Sequence, residues 1–553
     1  MRLTKALLTS SLKGRPFFVT TPIFYVNALP HIGHFYSAVI ADAVQRFEKL
    51  IDPNCRVTFS TGTDEHGTKV QQAASRHGKQ PRDYCDTISG QYRTLFQDAS
   101  IEYTDFIRTT DERHKKAVQH FWKELKARDF IYSSNYSGWY CVSDETFLTE
   151  SNLREEVRDG KTVKLSIESG HPVEWTEEQN YMFRLSSLKS DLKYWLKQEG
   201  IIQPAKYQHI ILNLLAKDEY LPDISISRPI NRVNWAIAVP EDPTQGIYVW
   251  LDALVNYLTA TGYPDPSEMA VRGHSWPADV HVVGKDILKF HGLYWPAFLM
   301  AVGLHPPRKI LCHGHWTVEG HKMSKSLENV VNPYDALGGL EALRFFLLRE
   351  GTMHSDANYS ETKMVRVLNS QLADTLGNLL SRCTGQNLNP RQEFPQLHFD
   401  EFRRLKQDEN AAKLIESVDG LAAICHNHYS NFNYYRAVDA IIVTLHAANL
   451  FFETQKPWLI RKLPERQKDL DVILHVTMET LRICSIILQP VLPQISSKIL
   501  DKLAIPKDCR NWEHLDCISW QNDLILETRS ISDNKQIIFQ RILMDKGEIK
   551  VNA

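Results

Sequence analysis

Phe17-Phe18-Val19-Thr20-Thr21-Pro22-Ile23-Phe24-Tyr25-Val26-Asn27-Ala28-Leu29-Pro30-His31-Ile32-Gly33-His34 is the stretch that decides the fold. It opens as an apolar, β-branched run and passes through a turn carrying Asn27 and Pro30. It then enters Phe35-Tyr36-Ser37-Ala38-Val39-Ile40-Ala41-Asp42-Ala43-Val44, where the apolar spacing becomes helical. The pattern predicts a buried strand, a loop and a helix. The helix start offers backbone N–H groups and the positive end of a dipole, with Pro30 where a missing donor costs nothing, so the turn suits a phosphate. Gly33 has no side chain, so a flat base or ribose can lie against the backbone. His31 and His34 flank it, and taken alone they serve equally well as helix caps.

Working outward, Arg56-Val57-Thr58-Phe59-Ser60 reads as a second strand that runs into Thr61-Gly62-Thr63-Asp64-Glu65-His66-Gly67. Polar residues just past the carboxyl end of a strand lie where open α/β sheets bind ligands, which makes Asp64 a candidate partner for a substrate ammonium. Its other reading is the cap of a helix over Lys69 to Ala74. From about Phe121 to Arg228 short strands and turns replace this pattern, as expected of an insertion between two halves of a sheet. The sheet is expected to resume at Ile247-Tyr248-Val249-Trp250, then at Val280-His281-Val282-Val283 and Lys309-Ile310-Leu311-Cys312-His313-Gly314. Each strand ends in Gly, Asp or His, the ligand-binding edge of a parallel sheet. The expected fold is therefore α/β, a doubly wound, Rossmann-type parallel sheet split by a small insertion. From about Glu361 strands give way to helical patterns over Met364–Arg382, Asp408–His428, Tyr434–Phe452 and Leu470–Leu488, a bundle with short connections.

The 553 residues are too many for one core. No apolar run reads as a membrane span. A net charge of −2 gives no global basic field, yet local basic faces can still hold RNA. The nine cysteines contain no C-x-x-C pair, which argues against a disulfide framework and a cysteine-rich zinc site. Residues 1–15 are basic and hydroxyl-rich, and the first acid in the chain is Asp42, a composition expected of a mitochondrial targeting segment.

His31-Ile32-Gly33-His34 and Lys322-Met323-Ser324-Lys325-Ser326 spell the two signatures of class I aminoacyl-tRNA synthetases, in the order and strand–loop contexts of that class. Residues from about Pro16 to Leu500 resemble the methionyl-tRNA synthetase family. The resemblance rests on Thr21 to Asn27, Gly62 to Gly67, Tyr248-Val249-Trp250-Leu251-Asp252-Ala253, and Gly284-Lys285-Asp286-Ile287 with Phe290-His291. The basic start and the lack of an appended C-terminal module make the chain look like the mitochondrial type. The resemblance implies a methionine pocket lined by Ile23, Tyr25, Trp250, Ala253, Leu254, Tyr257, Ile287 and His291, with Asp64 on the ammonium. Some family members carry proline where this chain has Leu254. Aromatic rings suit a polarisable thioether, and a Tyr or His can add one weak polar contact.

It further implies ATP contacts from His31, Gly33, His34, Lys285, Asp286, Lys322, Ser324 and Lys325, of which the two histidines and two lysines would be catalytic. Mg²⁺ would accompany ATP. Asn378 and Arg382, four apart on one helical face, and Trp458 would read the anticodon of tRNA(Met). The insertion of such enzymes often carries zinc; with only Cys141, Asp144 and His171 in place here, no structural zinc is expected. The expected division is 1–15 targeting segment, 16–120 first half of the catalytic fold, 121–228 insertion and 229–318 second half. It continues with 319–362 as lysine–serine loop and stem-contact region, 363–510 as anticodon-binding helices and 511–553 as tail. A monomer in the mitochondrial matrix, without a membrane, is expected. Two rivals remain: a class I enzyme for leucine, isoleucine or valine, for which the insertion looks too short to hold an editing domain, and a catalytically silent RNA-binding scaffold.

Overall fold

The structure is a computed structural model describing residues 15–141, 146–148, 150–158, 161–167, 170–216, 221–273, 276–323, 329–521, 528–532 and 537–543. The expected targeting segment up to residue 14, Asp144, Ser324, Lys325 and the end of the tail lie outside the described residues. The described residues form two compact units, one from Pro16–Pro30 and Thr58–His313, the other from His31–Val57 and the described residues from Gly314 onward.

The first unit is built on a six-stranded sheet of β1 (Phe17–Tyr25), β2 (Val57–Asp64), β3 (Asp105–Arg108), β4 (Ile202–Gln203), β5 (Val280–Gly284) and β6 (Ile310–His313). The spatial order is β3-β2-β1-β5-β6-β4. Pairings of β1 with β5, β5 with β6, β6 with β4 and β2 with β3 are all parallel. The order reverses between β1 and β5, so the crevice past Tyr25 and Gly284 is the switch point where such sheets bind ligands. Helices explain why β1 and β5 read as near-continuous apolar runs, because strands covered on both faces have no polar side. Gly62 is required where β2 meets β3: a Cβ there would lie 1.9 Å from the Ile107 carbonyl oxygen.

One expected strand is not found. The strand over Asp242–Ile247 ends before Tyr248 and belongs to a separate three-stranded antiparallel sheet, and Val249–Thr259 is a helix. Every residue from Leu251 to Thr259 is buried, so the helix lacks the polar face that distinguishes its period from a strand's. The insertion forms its own antiparallel sheet, in which Ile131–Cys141 pairs with Glu174–Phe183, and a hairpin over Leu153–Ser166. Glu150 accepts from Trp139 Nε1 at 2.7 Å and from Lys164 at 2.9 Å, Lys164 lies 4.5 Å over the Trp139 ring, and Trp175 meets that ring edge-on. Among the described residues no group of His, Cys, Asp or Glu is arranged to hold a metal. Ile202–Gln203, within 121–228, extends the edge of the main sheet.

In chain order the helices used below are α1 (Ile32–Ile51), α2 (Glu112–Ala127), α3 (Val249–Thr259), α4 (Leu340–Glu350), α5 (Asn378–Thr384), α6 (Tyr434–Gln455) and α7 (Gln467–Leu488). The second unit packs α1 and α4 with the C-terminal bundle. The run expected as one helix over Met364–Arg382 is broken by a π-helix at Asn369–Gly377, and one short strand pair, Glu393–Phe394 with Arg529–Ser530, interrupts the helical region. Helix α6 extends into a stretch, Tyr434–Ile460, apolar and long enough to cross a membrane. It is instead half-buried, with Val438, Ile441, Leu445, Ala448 and Phe452 inside the bundle. At the heart of the unit the buried Arg344 of α4 donates to Asp42 of α1 at 2.5 Å, and to the carbonyls of Pro490 at 2.6 Å and Val491 at 2.9 Å. Arg46 completes the cluster, donating to the same Asp42 oxygen at 2.7 Å.

Candidate active site

In the first unit, α3 and the π-helix Phe290–Tyr294 bring Tyr257 and His291 together. A backbone carbonyl can only accept, so the 2.9 Å contact of His291 Nδ1 with Ile287 O puts the ring proton on Nδ1. Nε2 therefore accepts, and the Tyr257 hydroxyl donates to it at 2.6 Å. On the other side of Tyr257, at 4.2 Å between ring centroids, His281 accepts at Nε2 from Trp295 and donates from Nδ1 to Thr20 at 2.7 Å. Burial pushes His291 down to about 4, against the opposing pull of the Ile287 carbonyl and Asp286, and takes His281 well below the imidazole range. Both rings are neutral at physiological pH. Burial likewise raises Tyr257. The result is a buried cluster of aromatic rings with no net charge. Ala253 and Leu254 lie buried on α3, and Trp250 stacks on Phe290 at 3.5 Å. Ile23 and Tyr25 stand half-buried at the end of β1, with the Lys69 ammonium 5.7 Å from the Tyr25 ring.

Asp64 is nearly buried at the end of β2, and its carbonyl accepts from Val26 N, tying the ends of β1 and β2. Next to it the buried Glu65 accepts from Arg108 at 2.6 and 3.0 Å, from Thr63 at 2.8 Å and from Thr110 at 2.5 Å, which anchors the loop. Lys285 and Asp286 follow β5 on an exposed 3₁₀ turn.

In the second unit His31 is the N-cap of α1 rather than a residue after it, and Pro30 precedes the cap. His31 Nδ1 accepts from Gly33 N at 3.0 Å and His34 Nδ1 accepts from His31 N at 3.2 Å, a capping box made of imidazoles. Each neutral ring then carries its proton on Nε2, a donor suited to a phosphate oxygen. The rings stack at 3.8 Å, and a Cβ on Gly33 would come within 2.8 Å of the His31 ring. That same Cβ would lie 3.6 Å from Met323 Cε, so the two signature segments adjoin. Lys322 is exposed on a short strand paired with Thr317. Elsewhere in this unit Arg382 lies 5.6 Å from the Trp458 ring and 2.8 Å from Glu453, with Asn378 exposed one turn before it.

The family described as tRNA synthetases class I (M) matches residues 17–384. The mitochondrial methionine–tRNA ligase of Takifugu rubripes is 45% identical over 98% of this chain and 92% of its own length. The chain belongs to the methionyl class I tRNA synthetases. The human mitochondrial methionine–tRNA ligase is 46% identical to this synthetase over 88% of the chain and 84% of its own length. A Mycobacterium tuberculosis methionyl-tRNA synthetase in complex with methionyl-adenylate superimposes with a TM-score of 0.86 at 37% identity, covering 95% of this chain and all of that one.

The synthetase thus gathers Trp250, Ala253, Leu254, Tyr257, Ile287 and His291 on neighbouring elements, and sets Arg382 beside Trp458. Reading the sequence missed His281, which backs Tyr257. It also missed Asp252, which burial would push up but which His66 and His114 hold below the carboxylate range. An acid at the fourth position of a buried helix, between Trp250 and Ala253, was the available signal.

Proposed function

We propose that this synthetase joins methionine to tRNA(Met) in the mitochondrial matrix, as a monomer. The observation that carries the reading is the neutral Tyr257–His291 pair, held by the Ile287 carbonyl, which offers a thioether ring faces and no charge. Asp64 takes the methionine ammonium, while Ile23, Tyr25, Trp250, Ala253, Leu254 and Ile287 enclose the side chain. The methionine carboxylate then attacks the α-phosphorus of ATP, releasing pyrophosphate and giving methionyl-adenylate. A carboxylate is a competent nucleophile at neutral pH, so positioning and charge neutralisation carry the step. His31 and His34 donate from Nε2 to phosphate oxygens. Lys322 and Lys325 neutralise the triphosphate and the departing pyrophosphate, and Ser324, between them in sequence, also contacts ATP. Gly33 admits the nucleotide, Lys285 and Asp286 contact it, and Mg²⁺ arrives with ATP. Asn378 and Arg382 hydrogen-bond anticodon bases and Trp458 stacks one.

Amino-acid-dependent ATP–pyrophosphate exchange without tRNA tests this directly, with methionine, leucine, isoleucine, valine and cysteine run in parallel. Exchange with methionine alone is expected. Exchange with another amino acid would keep the chemistry and overturn the pocket, and no exchange at all would leave an RNA-binding scaffold.

A further inference from the structure

Adenylation needs no base, but transfer does: a ribose hydroxyl must lose its proton as its oxygen attacks the methionyl carbonyl. Two residues after Asp64, a histidine has the required arrangement. Asp252 is fully buried on α3, and each of its oxygens accepts one imidazole N–H, Oδ2 from His66 Nδ1 at 2.7 Å and Oδ1 from His114 Nε2 at 2.8 Å. A carboxylate accepts only, so Asp252 fixes the neutral tautomer of His66 with its proton on Nδ1 and its lone pair on Nε2.

The other end of the ring is what separates His66 from the synthetase's packing histidines. His114, His281, His291 and His475 each use both ring nitrogens, His475 on Pro395 O and Ser519. Nε2 of His66 has no partner among the described residues. The ring lines a cleft together with Gly67, Thr68, Arg228 and Tyr248. Arg228 is itself buried and held rigidly, donating to Ser225 Oγ at 2.8 Å and Ser227 O at 2.7 Å with its guanidinium 4.5 Å from the Tyr248 ring, so the cleft wall carries a fixed positive charge. Trp235 meets the His66 ring at 5.7 Å and is pinned to Glu65 O at 2.5 Å, which limits ring rotation.

We propose that His66, oriented by Asp252, is the general base of the transfer step, acting on the terminal ribose hydroxyl of tRNA in this cleft. The ribose oxygen forms a bond to the methionyl carbonyl carbon while its proton passes to His66 Nε2. The bond from that carbon to the phosphate oxygen of the adenylate breaks, AMP leaves as an anion that needs no proton, and His66 then returns its proton to solvent. The Arg228 charge favours the oxyanion formed on the way. This rests on the methionine–tRNA reading above.

The test measures both half-reactions in the full chain: ATP–pyrophosphate exchange, and single-turnover transfer from preformed methionyl-adenylate to tRNA. In His66→Gln and His66→Ala, transfer should fall about 100-fold further than exchange, the usual worth of a positioned base. Added imidazole should recover at least about tenfold of the His66→Ala loss. Pyrazole, of the same shape but far weaker as a base, should recover none. An unchanged ratio of the two half-reactions in both variants, or equal rescue by the two azoles, would overturn the proposal and leave His66 a packing residue. Absence of methionine-dependent exchange in the unmutated chain would overturn the parent reading, a result visible before any variant is made.

Discussion

Acidification should weaken the sheet-bearing unit through His291. Burial lowers this imidazole from the ordinary 6.5 to about 4, whereas in the unfolded chain it regains the ordinary value. Well above pH 6.5 neither state binds a proton and the stability is fully present. As the pH falls below 6.5 the unfolded chain takes up a proton that the folded chain refuses until about pH 4, so stability is lost across that window. At pH 5 most unfolded chains and only about a tenth of folded ones would carry the proton, a loss of about 2 kcal/mol relative to pH 7. His281 titrates in the same sense and adds to the loss. Urea unfolding followed by tryptophan fluorescence, in the unmutated protein and in His291→Gln between pH 7 and pH 5, isolates the residue. Glutamine can still donate to Ile287 O and accept from Tyr257, but it does not titrate. The unmutated protein should lose about 2 kcal/mol more than the variant over this range. Parallel pH dependences would refute the reasoning, because the buried imidazole would then be no harder to protonate than an exposed one.

Replacing Arg344 with Met should destabilise the second unit by about 3–5 kcal/mol in urea, since it leaves a buried carboxylate and two carbonyls short of their donor, and Asp42→Asn combined with it should cost less than the two changes separately. Gly62→Ala should lower stability by about 3 kcal/mol or abolish soluble expression, because the Ile107 carbonyl belongs to the β2–β3 ladder and cannot withdraw. Trp458→Ala should raise KM for tRNA about 5- to 150-fold, the worth of one lost stacking platform, as measured by charging at varied tRNA concentration. The same change should not alter KM for methionine in exchange.

Much of the sheet was legible because parallel strands covered on both faces announce themselves as apolar runs closed by Gly, Asp or His. The segment after Ile247 defeated that rule for the same physical reason: α3 is buried all round, so Tyr248-Val249-Trp250 looks like strand. His31 and His34 were legible as a motif, but their service as caps depends on which ring nitrogen meets which backbone N–H, which spacing does not determine. The π-helix at Asn369–Gly377 leaves the apolar period nearly intact and so goes unseen. Asp252 was quoted as part of a motif without a role, because its partners His66 and His114 lie 186 and 138 residues away. The Trp139–Lys164–Glu150 cluster was hidden likewise, since ordinary surface residue types carry it.

The Asp42–Arg344 pair sets an order of events during synthesis. Its members are 302 residues apart, which at ribosomal speeds of about 5–20 residues per second is roughly 15–60 s of elongation. The remaining acceptors of Arg344, at Pro490 and Val491, emerge later still, as does Trp512, whose ring meets Phe47 of α1 edge-on. Helix α1, which His31 caps and which carries His34, thus waits with an acid and a phenylalanine uncovered until the bundle has left the ribosome. A chain cut short before Val491 cannot finish that helix's surroundings, so the C-terminal helices act as a completeness check on the helix that follows the first signature.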